Sequence, residues 1–144
     1  SLTYKKMPFL RIAPICNGKI YVAPRSYQGE EPGKLDIPME DYIYACKTDT
    51  DKYAKEVENK YSNHITGQPE PRFSLKHLVK ETNGVKKTIM LYILPLNDEE
   101  QIHFTGGKFV TPEEIEMNSA QYSSFLKEEV DHLNIVAQMW EEFK

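Results

Sequence analysis

The stretch Lys108-Phe109-Val110-Thr111-Pro112-Glu113-Glu114-Ile115 decides the fold, because it joins a short strand to a helix start with almost no slack. Phe109 and Val110 favour extended backbone. Thr111 is a helix cap, Pro112 suits the first helical position, and Glu113 and Glu114 place negative charge in the first turn. Downstream, Tyr122, Phe125, Leu126, Val130, Leu133, Val136, Trp140 and Phe143 form an apolar stripe at helical spacing, predicting a helix from about Ala120 to Phe143. Met139, Trp140 and Phe143 read as core on this pattern. A purely structural interaction protein binding through the terminal helix has only those residues to support it.

Upstream, Phe9–Ile15 and Lys19–Ala23 are β-rich and flank Asn17-Gly18, a dipeptide that tolerates positive φ at both positions and marks a hairpin. Asn83-Gly84 repeats the device between Phe73–Lys80 and Thr88–Leu94. The first of those strands alternates imperfectly. The second is almost wholly apolar, as a strand covered on both faces must be. A further strand is expected through Lys108–Val110, and Gly106-Gly107 before it reads as a turn. Thr48 to Asp51 are rich in cap residues and lead into a helix to Tyr61, with Tyr53, Val57 and Tyr61 on one face. The 144 residues therefore predict one α+β domain over 1–144, without repeat or linker.

Composition narrows the function. The net charge is −4, and no basic stripe exists to neutralise phosphates, which argues against a dedicated nucleic-acid binder. The longest apolar run, Ile89 to Leu94, is too short to span a membrane. Cys16 and Cys46, without a secretory signal, read as reduced thiols in a cytoplasmic protein. A homo-oligomer is compatible with the sequence. Phosphate-loop, zinc-protease, paired-cysteine and serine-elbow motifs are absent, and the four histidines are scattered.

The order of elements resembles the Nudix hydrolase family. There a strand ending in R-R-S, a loop and a W-x-x-P-G-G segment precede the box G-x5-E-x7-R-E-U-x-E-E-x-G-U. Lys19–Ala23 followed by Pro24-Arg25-Ser26 matches the strand, Leu35-Asp36-Ile37-Pro38 the next segment, and Phe109–Ile115 the later W-[VF]-[ST]-x-E-E-[IL]. The resemblance implies an α/β/α sandwich around a mixed sheet, and substrates made of a nucleoside diphosphate linked to another group.

The box itself departs from the pattern. With Lys55-Glu56-Val57 on R-E-U, Asn59 and Lys60 stand where two glutamates belong, and Ser62 falls on the glycine. Lys47 falls on the upstream Glu and Asp41 on the Gly, while Pro38-Met39-Glu40 stands for P-G-G. Glu56 alone survives of the metal-binding set and inherits the catalytic role. Glutamates at i, i+3 and i+4 share a helix face and converge on hard cations; here that face offers Glu56, Asn59 and Lys60. The expectation is a degenerate metal site, no cofactor, and a small nucleotide-like ligand held by Arg25, Lys52 and Lys60 with weak or no hydrolysis. A plain solvated face with a Glu56–Lys60 ion pair is the bland reading of the same residues. The alternative is a divergent pyrophosphohydrolase using Mg²⁺ or Mn²⁺ held by displaced carboxylates, among Asp36, Glu40 and Asp41 or Asp98-Glu99-Glu100.

Overall fold

A computed structural model describes residues 9–43, 50–80 and 86–144. In chain order these form β1 (Phe9–Cys16), β2 (Lys19–Pro24), β3 (Leu35–Asp36), β4 (Met39–Tyr42), α1 (Thr50–Lys60), β5 (Arg72–Lys80), β6 (Lys86–Pro95), β7 (Lys108–Val110), α2 (Pro112–Met117) and α3 (Ser124–Phe143). The sheet runs β3-β2-β1-β6-β5, with β4 added beside β1 and β7 beside β2. It is mixed: β1 and β6 are parallel over Phe9–Ile15, and the other pairs are antiparallel. Asn17 and Gly18, at φ 52° and 75°, close the first hairpin as expected. The second Asn-Gly turn, the cap residues before α1, Lys47 and Cys46 lie outside the described residues.

Strand alternation explains the layering. Leu10 and Ile12 of β1, Tyr21 of β2 and Met90, Tyr92 and Leu94 of β6 pack with Ala54 and Val57 of α1. The residues between them, Ala13, Ile15, Ile20, Val22, Leu91 and Ile93, pack with Leu126, Val130 and Leu133 of α3. Both faces of β6 are thus dry, which accounts for its unbroken apolar run. The fold is an α+β sandwich with the sheet between α1 and α3.

Two expectations need correction. The terminal helix begins at Ser124, with the Ser123 side chain accepting from Leu126 N at 3.1 Å; Ala120 belongs to a preceding 3₁₀ turn. Phe143 is 78% exposed and Met139 49%, so neither is core. Both lie on the side of α3 away from buried Ala137, since positions two and six residues on are far around a 3.6-residue turn. Trp140 is half-buried, with the Arg72 guanidinium over its ring. The imperfect phase of β5 also has a cause. The register slips between Phe73 and Leu75, so Ser74 is an extra residue; Phe73 meets Tyr92 on the α1 side, and Leu75 lies opposite Leu91 on the α3 side.

One polar side chain is built into this core. Arg11 on β1 is fully buried on the α3 side of the sheet. Its Nε and Nη2 donate to the Glu129 carboxylate of α3 at 2.8–3.2 Å, and Nη2 also reaches Asp36 Oδ1 at 2.7 Å. Nη1 donates to Asp36 Oδ2 at 3.2 Å and Glu40 Oε1 at 2.6 Å. One guanidinium therefore joins β1, β3, β4 and α3. Burial alone would lower the Arg11 pKa, but Asp36 and Glu129 outweigh it and raise the value well above normal. Burial likewise opposes ionisation of Asp36, yet Arg11 and Arg25 hold its carboxyl below the usual range.

Arg11→Ala leaves Asp36 and Glu129 buried with their main partner removed and is expected to cost about 3–5 kcal/mol in denaturant unfolding. The lowered Asp36 pKa sets a pH limb. Its contribution is complete above the ordinary aspartate value of about 3.9 and is lost as pH falls through the lower folded value. Thermal midpoints from pH 7 to pH 2 should therefore show wild type well above Asp36→Asn at neutral pH, with the gap closing below about pH 4.

Candidate functional site

A cleft of about 390 Å³ opens where β2 ends, between the 25–34 loop and the segment following α1. Its near wall carries Arg25, Asp36 and Glu40; its far wall carries His64 and Phe104. Local structure fixes each side. Arg25 N donates to Lys34 O at 2.8 Å and Gly33 N donates to Arg25 O at 3.0 Å, which closes the loop at its base. The Glu31 carboxylate accepts from Ser124 N and Oγ at 3.0 and 2.9 Å, tying the loop to the start of α3.

On the far wall, His64 Nδ1 lies 2.9 Å from the His103 carbonyl oxygen. A carbonyl only accepts, so Nδ1 bears the hydrogen, and in the neutral ring Nε2 is an acceptor. The His64 and Phe104 rings stack at 3.9 Å and 8°. Phe104 N donates to the Tyr21 hydroxyl at 2.8 Å, and that hydroxyl occupies the space a Cβ on Gly107 would need. Gly107 is thus a close-approach glycine that lets Tyr21 seat Phe104. Tyr61, just past α1, donates to Glu40 O at 3.2 Å and joins the two walls.

The near wall is an extension of the Arg11 network. Arg25 Nη1 donates to Asp36 Oδ2 at 2.6 Å and Glu40 Oε1 at 3.3 Å, and its Nε donates to Glu30 O at 2.7 Å. Burial pushes the Glu40 carboxyl above its usual value, with Arg11 pulling the other way and Asp36 adding to the rise. Two guanidinium groups thus face three carboxylates, those of Asp36, Glu40 and Glu129. His77 Nε2 lies 3.2 Å from Glu129 Oε2 at the far end of the same chain of contacts.

Of the residues read from the sequence, Arg25, Asp36 and Glu40 line this cleft. Glu56, Lys52 and Lys60 lie exposed along α1 and are not among the cleft-lining residues. Lys60 forms an ion pair with Asp41 of β4 rather than with Glu56. Glu58, two residues on from Glu56, is buried and paired with Lys55 at 3.0 Å. Asp98 caps a 3₁₀ turn, and Glu99 pairs with Lys19 at 3.8 Å. Arg11, Glu129, His64 and Phe104 are not among the site residues expected from the sequence. Arg11 did carry a signal, a lone charge within an apolar strand. Glu129 sits on a charged helical run and carried none.

Divalent cations need several converging oxygen ligands. α1 offers one carboxylate, an amide and an ammonium at the required spacing, and the carboxylates of β3 and β4 are bound to Arg11, Arg25 and Lys60. Among the described residues no group of three His, Cys, Asp or Glu side chains could hold a metal ion. The described residues of this site do not offer the converging oxygens such an ion needs. Nor is any helix among the described residues long and apolar enough to cross a membrane.

No protein-family model matches the sequence. No curated protein matches it. Solved structures do. A Nudix hydrolase from Nitrosomonas europaea superposes with a TM-score of 0.62 at 10% identity, covering 91% of this chain and 90% of that one. The E. coli dihydroneopterin triphosphate pyrophosphohydrolase gives 0.62 at 13%, covering 90% and 95%. The C. elegans Ap4A hydrolase gives 0.55 at 14%, covering 92% and 98%. At such identities the likeness speaks to architecture, and the architecture is unambiguous: this chain has the fold of the Nudix hydrolases.

Proposed function

We propose that this chain is a Nudix-fold binding module that holds a nucleoside-diphosphate-type ligand in the Arg25 cleft, with weak or no hydrolysis. One observation carries the reading. The Asp36, Glu40 and Asp41 carboxylates are bound to Arg11, Arg25 and Lys60, and α1 adds only Glu56 at the spacing a metal would need. Without a divalent ion to neutralise the diphosphate and activate water, the metal-assisted route lacks its central component. Arg25 supplies hydrogen-bond donors to the ligand, and the His64–Phe104 wall supplies apolar surface. The fold is shared with pyrophosphohydrolases, which supports a nucleotide-like ligand over an unrelated one. A cytoplasmic location suits that ligand class.

ADP-ribose, dinucleoside polyphosphates and oxidised nucleoside triphosphates, incubated with the protein and Mg²⁺ or Mn²⁺, should show undetectable or very weak turnover. Rates of order ~10 s⁻¹ would instead establish a working hydrolase with displaced ligands.

Calorimetric titration of ADP-ribose in EDTA should detect binding by the wild type. Arg25→Ala is expected to weaken it by at least about tenfold, the loss of a charged hydrogen-bond donor. Lys60→Glu should change it less than about threefold if the ligand stays within the cleft, and a larger, salt-dependent loss would bring the α1 lysines into the site.

A further inference from the structure

The near wall of the cleft ends in one donor and one acceptor that the described residues leave open. Arg25 uses Nε and Nη1, and among the described residues its Nη2 has no hydrogen-bond partner. Glu40 uses Oε1 for both arginines and Tyr61 bonds only its backbone oxygen, so among the described residues its Oε2 is likewise without a partner. Both side chains line the cleft and are largely buried, with exposures of 15% and 20%. The Nη1–Oε1 contact of 3.3 Å keeps the two groups side by side.

We propose that Arg25 Nη2 and Glu40 Oε2 together read the polar edge of a planar nucleobase, whose ring lies in the cleft beside His64 and Phe104. This deepens the binding-module reading and rests on it. A bare diphosphate offers acceptors only. It would satisfy Arg25 but set its negative charge against Glu40 and Asp36, in a cluster where carboxylates already outnumber guanidiniums. A nucleobase edge offers an N–H donor beside an acceptor, which complements a carboxylate oxygen beside a guanidinium nitrogen. Hydrogen bonds to the ionised groups are the strong kind, and the cleft's partial burial limits competition from water. The stacked His64–Phe104 pair adds aromatic surface on the other side of the cleft. The ligand's phosphates then lie away from Glu40, toward the open side of the cleft.

The test is calorimetric titration in EDTA of ADP, GDP, UDP and CDP against purine riboside 5′-diphosphate, whose ring is planar but has no amino donor. At least one of the four is expected to bind about tenfold or more tightly than the purine riboside compound, because a site built around a hydrogen bond rejects the analogue lacking it. That margin should shrink several-fold in Glu40→Gln, which keeps an oxygen for the two arginines but removes the charge. The comparison of ligands on the wild type stands even if the variant folds poorly. Equal binding of all five diphosphates overturns the edge-reading proposal while leaving the binding-module reading intact. No binding of any of them overturns both.

Discussion

The buried guanidinium of Arg11 is the constraint around which the molecule is arranged. A fully buried charge is tolerated only when every donor finds an acceptor, and here three carboxylates from three other elements supply them. Because Glu129 is on α3, Asp36 on β3 and Glu40 on β4, the helix and the two short strands have one mutual position that satisfies the guanidinium. Apolar packing tolerates small slides; a network of directed bonds does not. The short strands β3 and β4, with two and four residues, gain from this tie what their few ladder bonds cannot provide.

The same network sets the charge arrangement of the cleft. Asp36 and Glu40 are turned toward guanidiniums and not toward a shared cation, and Lys60 is occupied by Asp41. An arrangement of carboxylates that could have converged on an ion instead closes on fixed positive charge. What reaches solvent is the margin of that network, in the form of Arg25 and Glu40. Groups held by several bonds would lose little freedom on meeting the proposed ligand.

Much of the architecture was readable from local chemistry. Asn17-Gly18 and Thr111-Pro112-Glu113-Glu114 carry their conformations in their residue types, and both appear in the structure as a hairpin turn and a capping box. The dry strand β6 was legible because period two vanishes when both faces are buried. The site was less so. Arg25 could be placed at a strand end from its neighbours, but its partners Glu40 and Asp36 come together only through sheet pairing, and Glu129 arrives from 118 residues beyond Arg11. Glu129 lies between Glu128 and Val130 on a helix, where a charge ordinarily faces water; only the buried arginine opposite reverses that expectation. The end of α3 misled for a related reason. Met139 and Phe143 fit the helical period, but hydrophobicity alone does not say which side of the helix the sheet will cover.

The bulged strand β5 has a further consequence, for how copies of this chain behave toward each other. Among the described residues its strand partner is β6, which makes it the sheet's margin. Such a margin invites a neighbouring chain to add a strand and continue into an assembly without end. Here Arg72 and Lys76 stand along that margin exposed, and the slip at Ser74 breaks its regular spacing. Two such margins brought together would set like charges against each other and find their hydrogen-bonding groups out of step. Exposed Phe73 and Leu78 therefore sit on a strand whose charge and broken spacing work against edge-to-edge pairing.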